Sequence, residues 1–170
     1  IATHAHEDHI GALPHLYQRF QKPIFTTPFT AGVIRQKFQG QPRTPEIRIV
    51  ASHSSHQIGP FKVTWLPITH STPETHALLI ETKAGNILHT ADWKIDPDPV
   101  VGPGFDTSLF RASNLPPISA LVVDSTNALK AGHSKSEQVI SRGLKTAITE
   151  AKGRVIIGCF ASNIARLQSI

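Results

Sequence analysis

The chain has 170 residues, 17% of them charged and 39% hydrophobic, which excludes a disordered tail and allows one sizeable core. No apolar run is long enough to span a bilayer, and no basic stretch followed by an apolar one resembles a signal peptide. One cysteine excludes an internal disulfide, a formal charge of +5 suits a polyanionic partner, and ten histidines point to metal or acid–base chemistry.

The chain begins, without a methionine, on the stretch "THAHEDH", so Ile1 is not expected to be the natural start. Helical ligands would stand four apart. His4, His6 and Asp8 instead recur every second residue, with His9 adjoining, which fits the end of an extended segment running into a loop. From there His4 and His6 can face one metal while Asp8 and His9 face another.

"IGALPHLYQRF" (10–20) reads as a helix, with Asp8 placed to meet its first amide groups. "PIFTT" is a short strand and "TAGVIRQKF" a second helix, stopped near Gly40, Pro42 and Pro45. Four strands follow, "EIRIVA", "FKVTWLPI", "HALLIET" and "NILHTA", the last two joined through "KAG" as a hairpin. Residues 96–117 are proline-rich loop with room for one helical turn. "ISALVVDS" and "RVIIGCF" read as buried strands, the second carrying Cys159 as a buried thiol. Between them "SKSEQVISRGLKTAITEAKG" is an amphipathic helix, with Ser134 and Glu137 as a capping box and Gly153 as its stop. "SNIARLQSI" begins a last helix. A strand-rich half followed by β-α-β-α makes a layered α/β protein, with a shift in composition near Asp124.

Two further candidates complete a metal centre. His70 ends the strand "TWLPITH", and Asp92 follows the strand in "NILHTAD". Nitrogen donors with one or two carboxylates suit Zn²⁺, with Mn²⁺ second. A carboxylate can bridge two such ions, and water shared between them becomes hydroxide-like at neutral pH. His89 reads as a packed or supporting residue rather than a ligand, and His15, His53, His56, His76 and His133 as structural. Trp65 and Trp93 read as core or cleft wall, and Ser125 and Asn127 as shaping a crossover between domains.

"THAHEDH" resembles the His-x-His-x-Asp-His signature of metallo-β-lactamase-fold hydrolases. "HAHEDHIGALPHL", "THSTPETHALLIET", "HTADWKIDPDPV", "DSTNA" with "SKSE", and "FASNIARLQ" extend the resemblance to the RNase J ribonucleases of the β-CASP branch. The resemblance implies a partial αββα metallo-β-lactamase domain over 1–124, lacking its first strands. It also implies the beginning of an α/β β-CASP domain over 125–170. It implies His4, His6, His70 and Asp92 around one Zn²⁺, and Asp8, His9 and Asp92 around a second, with Asp8 and Asp92 catalytic. An aspartate upstream of Ile1 and a final histidine beyond Ile170 would complete the set. Ser71, Thr72 and Glu74 are candidates to contact RNA beside the metals. The implied enzyme is a cytoplasmic 5′–3′ exoribonuclease, with endonucleolytic cleavage as a second mode and homo-oligomerisation in the full-length protein. The present chain alone is expected to be inactive, and no membrane partner is expected. Two rivals stand beside this reading: a hydrolase of a small ester, thioester or lactone, and an inactive RNA-binding scaffold of the same fold.

Overall fold

In a computed structural model describing residues 1–170, the chain forms two sheets. The smaller is a parallel pair, β1 (Ile24–Thr26) and β2 (Ile47–Ile49). The larger runs β3 (Ser55–Ile58), β4 (Phe61–Pro67), β5 (His76–Thr82), β6 (Gly85–His89) and β7 (Ala120–Val122). Its first four strands are antiparallel neighbours, and β7 joins β6 in parallel.

Strand alternation sorts the core into layers. Trp65 and Leu78 lie opposite each other and, with Val50 and Val63, pack toward Phe25 of the small sheet. The next positions along β5 and β6, Leu79 and Leu88, are likewise paired and face the other way. There, Trp93, Phe105 and Phe110 from the 93–117 segment cover them, the last within a 3-10 turn over Thr107–Phe110. The outer face of the small sheet, at Ile24, meets helices α2 (Leu13–Phe20) through Leu13 and Tyr17 and α3 (Pro28–Lys37) through Ile34 and its cap Phe38.

Several sequence expectations are corrected. The helix expected over 10–20 is two pieces, α1 (Glu7–Ile10) and α2, separated at Gly11 and Ala12. A side chain at Gly11 would lie 2.6 Å from the Glu7 carbonyl oxygen, so the chain passes there only as glycine. β3 has the polar sequence SHQI and no strand signature of its own; pairing with β4 makes it a strand. The strand in "ISALVVDS" is present as β7 but lies at the sheet edge, with Leu121 58% exposed. "RVIIGCF" forms no strand: none lies beside it to take its N–H and C=O groups, and Ile156 is 87% exposed. Cys159 is therefore exposed rather than buried.

Helix α4 (Glu137–Glu150) is capped by Ser136, whose Oγ accepts the Gln138 N–H, not by the expected box from Ser134. Glu137 is withdrawn from that box because its carboxylate meets Lys94 and Arg166 of α5 (Ile164–Ser169). The hairpin and the α5 start fall where expected, with Asn163 Oδ1 accepting the Arg166 N–H.

Candidate metal centre

The opening residues are wedged between the two sheets. Ala2 donates its N–H to Phe25 of β1 and accepts the Thr26 hydroxyl, while Thr3 accepts the His76 N–H at the start of β5. This seam delivers His4 and His6 to the strand ends that carry His70, after β4, and Asp92, after β6. The turn before Asp92 holds Ala91 at φ 53°, a left-handed conformation uncommon for alanine. His89 Nδ1 accepts the Ala91 N–H at 3.0 Å, and Thr90 donates its hydroxyl to the Ala91 carbonyl.

Four donors converge. His6 Nδ1 lies 3.1 Å from His4 Nε2 and 3.0 Å from His70 Nε2, and Asp92 Oδ2 lies 3.8 and 3.9 Å from those same two nitrogens. A tetrahedron with zinc-like arms of about 2.0–2.1 Å has edges of about 3.3–3.4 Å, a value these distances bracket. A second, more open group shares Asp92: its Oδ1 is 3.3 Å from His9 Nε2, which is 3.6 Å from Asp8 Oδ2. All the residues expected as metal ligands are thus brought to one rim.

The donor chemistry fits a cation. Thr3 Oγ1 lies 3.1 Å from His4 Nδ1, and Ser71 Oγ 3.1 Å from His6 Nε2. With those outer nitrogens protonated, His4 Nε2 and His6 Nδ1 turn lone pairs toward each other, an arrangement favourable only around a positive charge. A proton is a poor candidate for it. Burial, then His9, His70 and His6, push His4 down to about 2. Burial and then His6 push His70 down to about 4, against Asp92 and Asp124. Burial also lowers His6, against Asp8 and Asp92. All three rings therefore stay neutral at pH 7 and available as ligands.

Two of these donors, His70 and Asp92, line a cleft of about 720 Å³, together with Ser71, Trp93, Lys94 and the loop Asp124–Ala128 among others. Of the three residues expected to meet substrate, Ser71 lines this cleft. Thr72 is buried with its hydroxyl against Thr75, and Glu74 faces away, its carboxylate accepting the Phe29 N–H at the start of α3. Neither lines the cleft, because the 71–75 turn reverses at Glu74 with φ 57°.

Asp124 escaped the sequence reading. It follows β7 at the cleft lip; burial pushes its carboxyl up, but the Thr126 N–H and hydroxyl outweigh this and hold it below the usual range. Its signal was there in "DSTNA", an acid just past a strand on the same sheet edge as Asp92.

Comparison with known proteins agrees with this geometry. A β-lactamase superfamily domain matches residues 1–147. Ribonuclease J of Sinorhizobium meliloti is 44% identical over 172 aligned residues, covering 100% of this chain and 30% of that protein. Ribonuclease J of Helicobacter pylori is 41% identical, covering 99% of this chain and 25% of that protein. The chain thus spans under a third of the length of these curated relatives. A crystal structure of a protein of unknown function from Enterococcus faecalis V583 shares the fold, with a TM-score of 0.71 at 19% identity over 98% of this chain and 42% of the other. The histidine–aspartate rim and the family together imply a divalent metal, and the chain belongs to the β-lactamase superfamily, with a metallo-β-lactamase fold.

Proposed function

We propose that this chain forms part of a metal-dependent ribonuclease that hydrolyses RNA phosphodiester bonds from the 5′ end, with internal cleavage as a second mode. The observation that carries it is the convergence of His4, His6, His70 and Asp92, the last two lining an open cleft, in a chain similar along its whole length to ribonuclease J proteins. On this reading residues 1–124 are the metallo-β-lactamase part and 125–170 the beginning of a β-CASP part. The compartment is the cytoplasm, and Zn²⁺, or Mn²⁺ second, is the metal. No helix here is long and apolar enough to cross a membrane.

When bound, a divalent ion would polarise a phosphoryl oxygen and activate water. His4, His6 and His70 would hold it as neutral ligands, and Asp92 would supply the anionic charge shared with the Asp8–His9 side. Thr3 and Ser71 hydrogen-bond the outer nitrogens of the His4 and His6 rings and so orient those imidazoles from behind. Ser71 also reaches the cleft, where a hydroxyl can bind a phosphate oxygen. The cleft is open and its near wall polar, which suits a polymer strand better than a small ester.

The test uses the longer protein spanning this chain. 5′-Monophosphorylated RNA should be degraded, with activity lost to a chelator and restored by Zn²⁺ or Mn²⁺. Efficient turnover of thioesters or lactones while RNA survives would favour the small-ester rival. Loss of both activities with metal still bound would favour the scaffold.

A further inference from the structure

We infer that Asp96, within the stretch "WKIDPDPV", is the positioning residue that fixes the His70 and Asp92 loops against each other and against helix α4. The inference rests on reading the His4–His6–His70–Asp92 cluster as a metal centre.

Asp96 is 1% exposed, although it lies in a proline-rich loop four residues beyond Asp92. A buried carboxylate needs its acceptors filled, and here they are. Oδ1 accepts the Asp98 N–H at 3.1 Å. Oδ2 accepts the Glu137 N–H at 2.8 Å, at the first residue of α4, and lies 3.4 Å from the Lys94 ammonium. The carboxylate thus sits at the positive end of a 14-residue helix, where an anion is favoured.

The backbone of Asp96 faces the other ligand loop. Its N–H donates to Thr69 Oγ1 at 3.2 Å, and the same hydroxyl donates to the Lys94 carbonyl. The Lys94 N–H in turn donates to the Thr69 carbonyl at 2.9 Å. Thr69 is 7% exposed and directly precedes His70. One short bridge, Asp96 to Thr69, therefore sets the separation of His70 from Asp92. Glu137 secures it from outside, binding Lys94 at 2.8 Å and Arg166 at 3.3 Å. Lys94, Asp96 and Glu137 all border the cleft, but their charges are spent on one another, so they shape it rather than bind an anion.

The test compares Asp96→Asn, Thr69→Val and Val63→Ala in the 170-residue chain. Val63 is buried between the sheets, away from the bridge, and serves as a control of lowered stability. Zn²⁺ affinity is measured by competition with a chromophoric chelator, and His70 ring signals are followed by NMR without metal. Asp96→Asn and Thr69→Val should each weaken Zn²⁺ binding by about 10-fold or more, the size seen when groups behind metal ligands are lost. Val63→Ala should leave affinity within about twofold. Both bridge variants should also move the His70 signals while leaving those of His56 in place. Wild-type affinity in both bridge variants, or an equal loss in Val63→Ala, overturns the inference. If Asp96→Asn does not fold, Thr69→Val decides by the same criteria. If the wild-type chain binds no Zn²⁺ at these residues, the metal reading fails and the His70 signals alone decide: unmoved signals overturn the bridge, and shifted ones sustain it.

Discussion

Among single residues, Asp92 and His89 test the division of labour along "HTAD". Asp92 alone faces both donor groups, and only an anionic oxygen pair can serve two cations at once. Asp92→Asn should lower metal affinity by more than about 10-fold and abolish RNA cleavage in the longer protein. His89 instead accepts the Ala91 N–H behind the turn, so His89→Ala should keep the metal and cost about 1 kcal/mol in a denaturant titration. The reverse pattern would reassign the ligand. His4, His70 and His76 make a second residue-level prediction, because burial lowers all three from 6.5 and each binds its proton less readily folded than unfolded. Between 6.5 and those lower values the unfolded chain holds more protons, so stability rises with pH across that window. The urea midpoint of the metal-free chain should therefore fall as pH drops from 7 toward 4; a flat profile would contradict the neutral-ring reading. The candidate ligands were legible because "THAHEDH" packs four donors into six positions and the family resemblance singles out His70 and Asp92, either of which alone would read as structural. Thr72 and Glu74 were not, since no spacing rule tells which way a five-residue turn points its side chains.

At the scale of elements, helix α4 shows how tertiary contacts overrule a local motif. Ser134 and Glu137 have the spacing of a capping box, yet the helix begins one residue after Ser136. The loop at Asp96 meets the first helical N–H, and Lys94 with Arg166 claims the Glu137 carboxylate. Ser136 Oγ also donates to the Asp98 carbonyl, so one hydroxyl closes the helix and ties it to the loop. Ser136→Ala should cost about 1 kcal/mol, typical of a lost N-cap, whereas Ser134→Ala should be nearly neutral. Equal costs in thermal melts would restore the box. The apolar stretch 154–160 was misread for a related reason. β-branched composition marks a segment able to form a strand, but a strand also needs a neighbour, and the sheet order stops at β7. Where neighbours exist, as for β4, β5 and β6, apolar and β-branched runs bounded by turn residues located the strands, although β4 stops at Pro67, three residues short of His70.

Across the whole molecule, the candidate metal centre is where the two halves of the fold meet. His4 and His6 belong to the segment that hydrogen-bonds along the small sheet, while His70 and Asp92 hang from the large one. A cation held by all four would link the sheets at a point where the protein itself contributes three neutral rings and one carboxylate. The Asp8–His9 group is different: it has only three donors, borrows Asp92, and carries Asp8 at 77% side-chain exposure. The 170-residue chain should therefore bind one Zn²⁺ tightly and a second far more weakly in a calorimetric titration. Because a ligand that binds only the folded state stabilises it by mass action, free Zn²⁺ at about 100 times the first dissociation constant should add about 2.7 kcal/mol. The gain should appear as one cooperative shift of the melt, reported alike by Trp65 between the sheets and by far-UV dichroism, since the ion joins both sheets rather than one loop. His6→Ala should remove the gain almost entirely, and Asp8→Ala should leave most of it. Two sites of equal, tight affinity, or a zinc-induced shift that survives His6→Ala, would show that the four-donor cluster is not what holds the halves together.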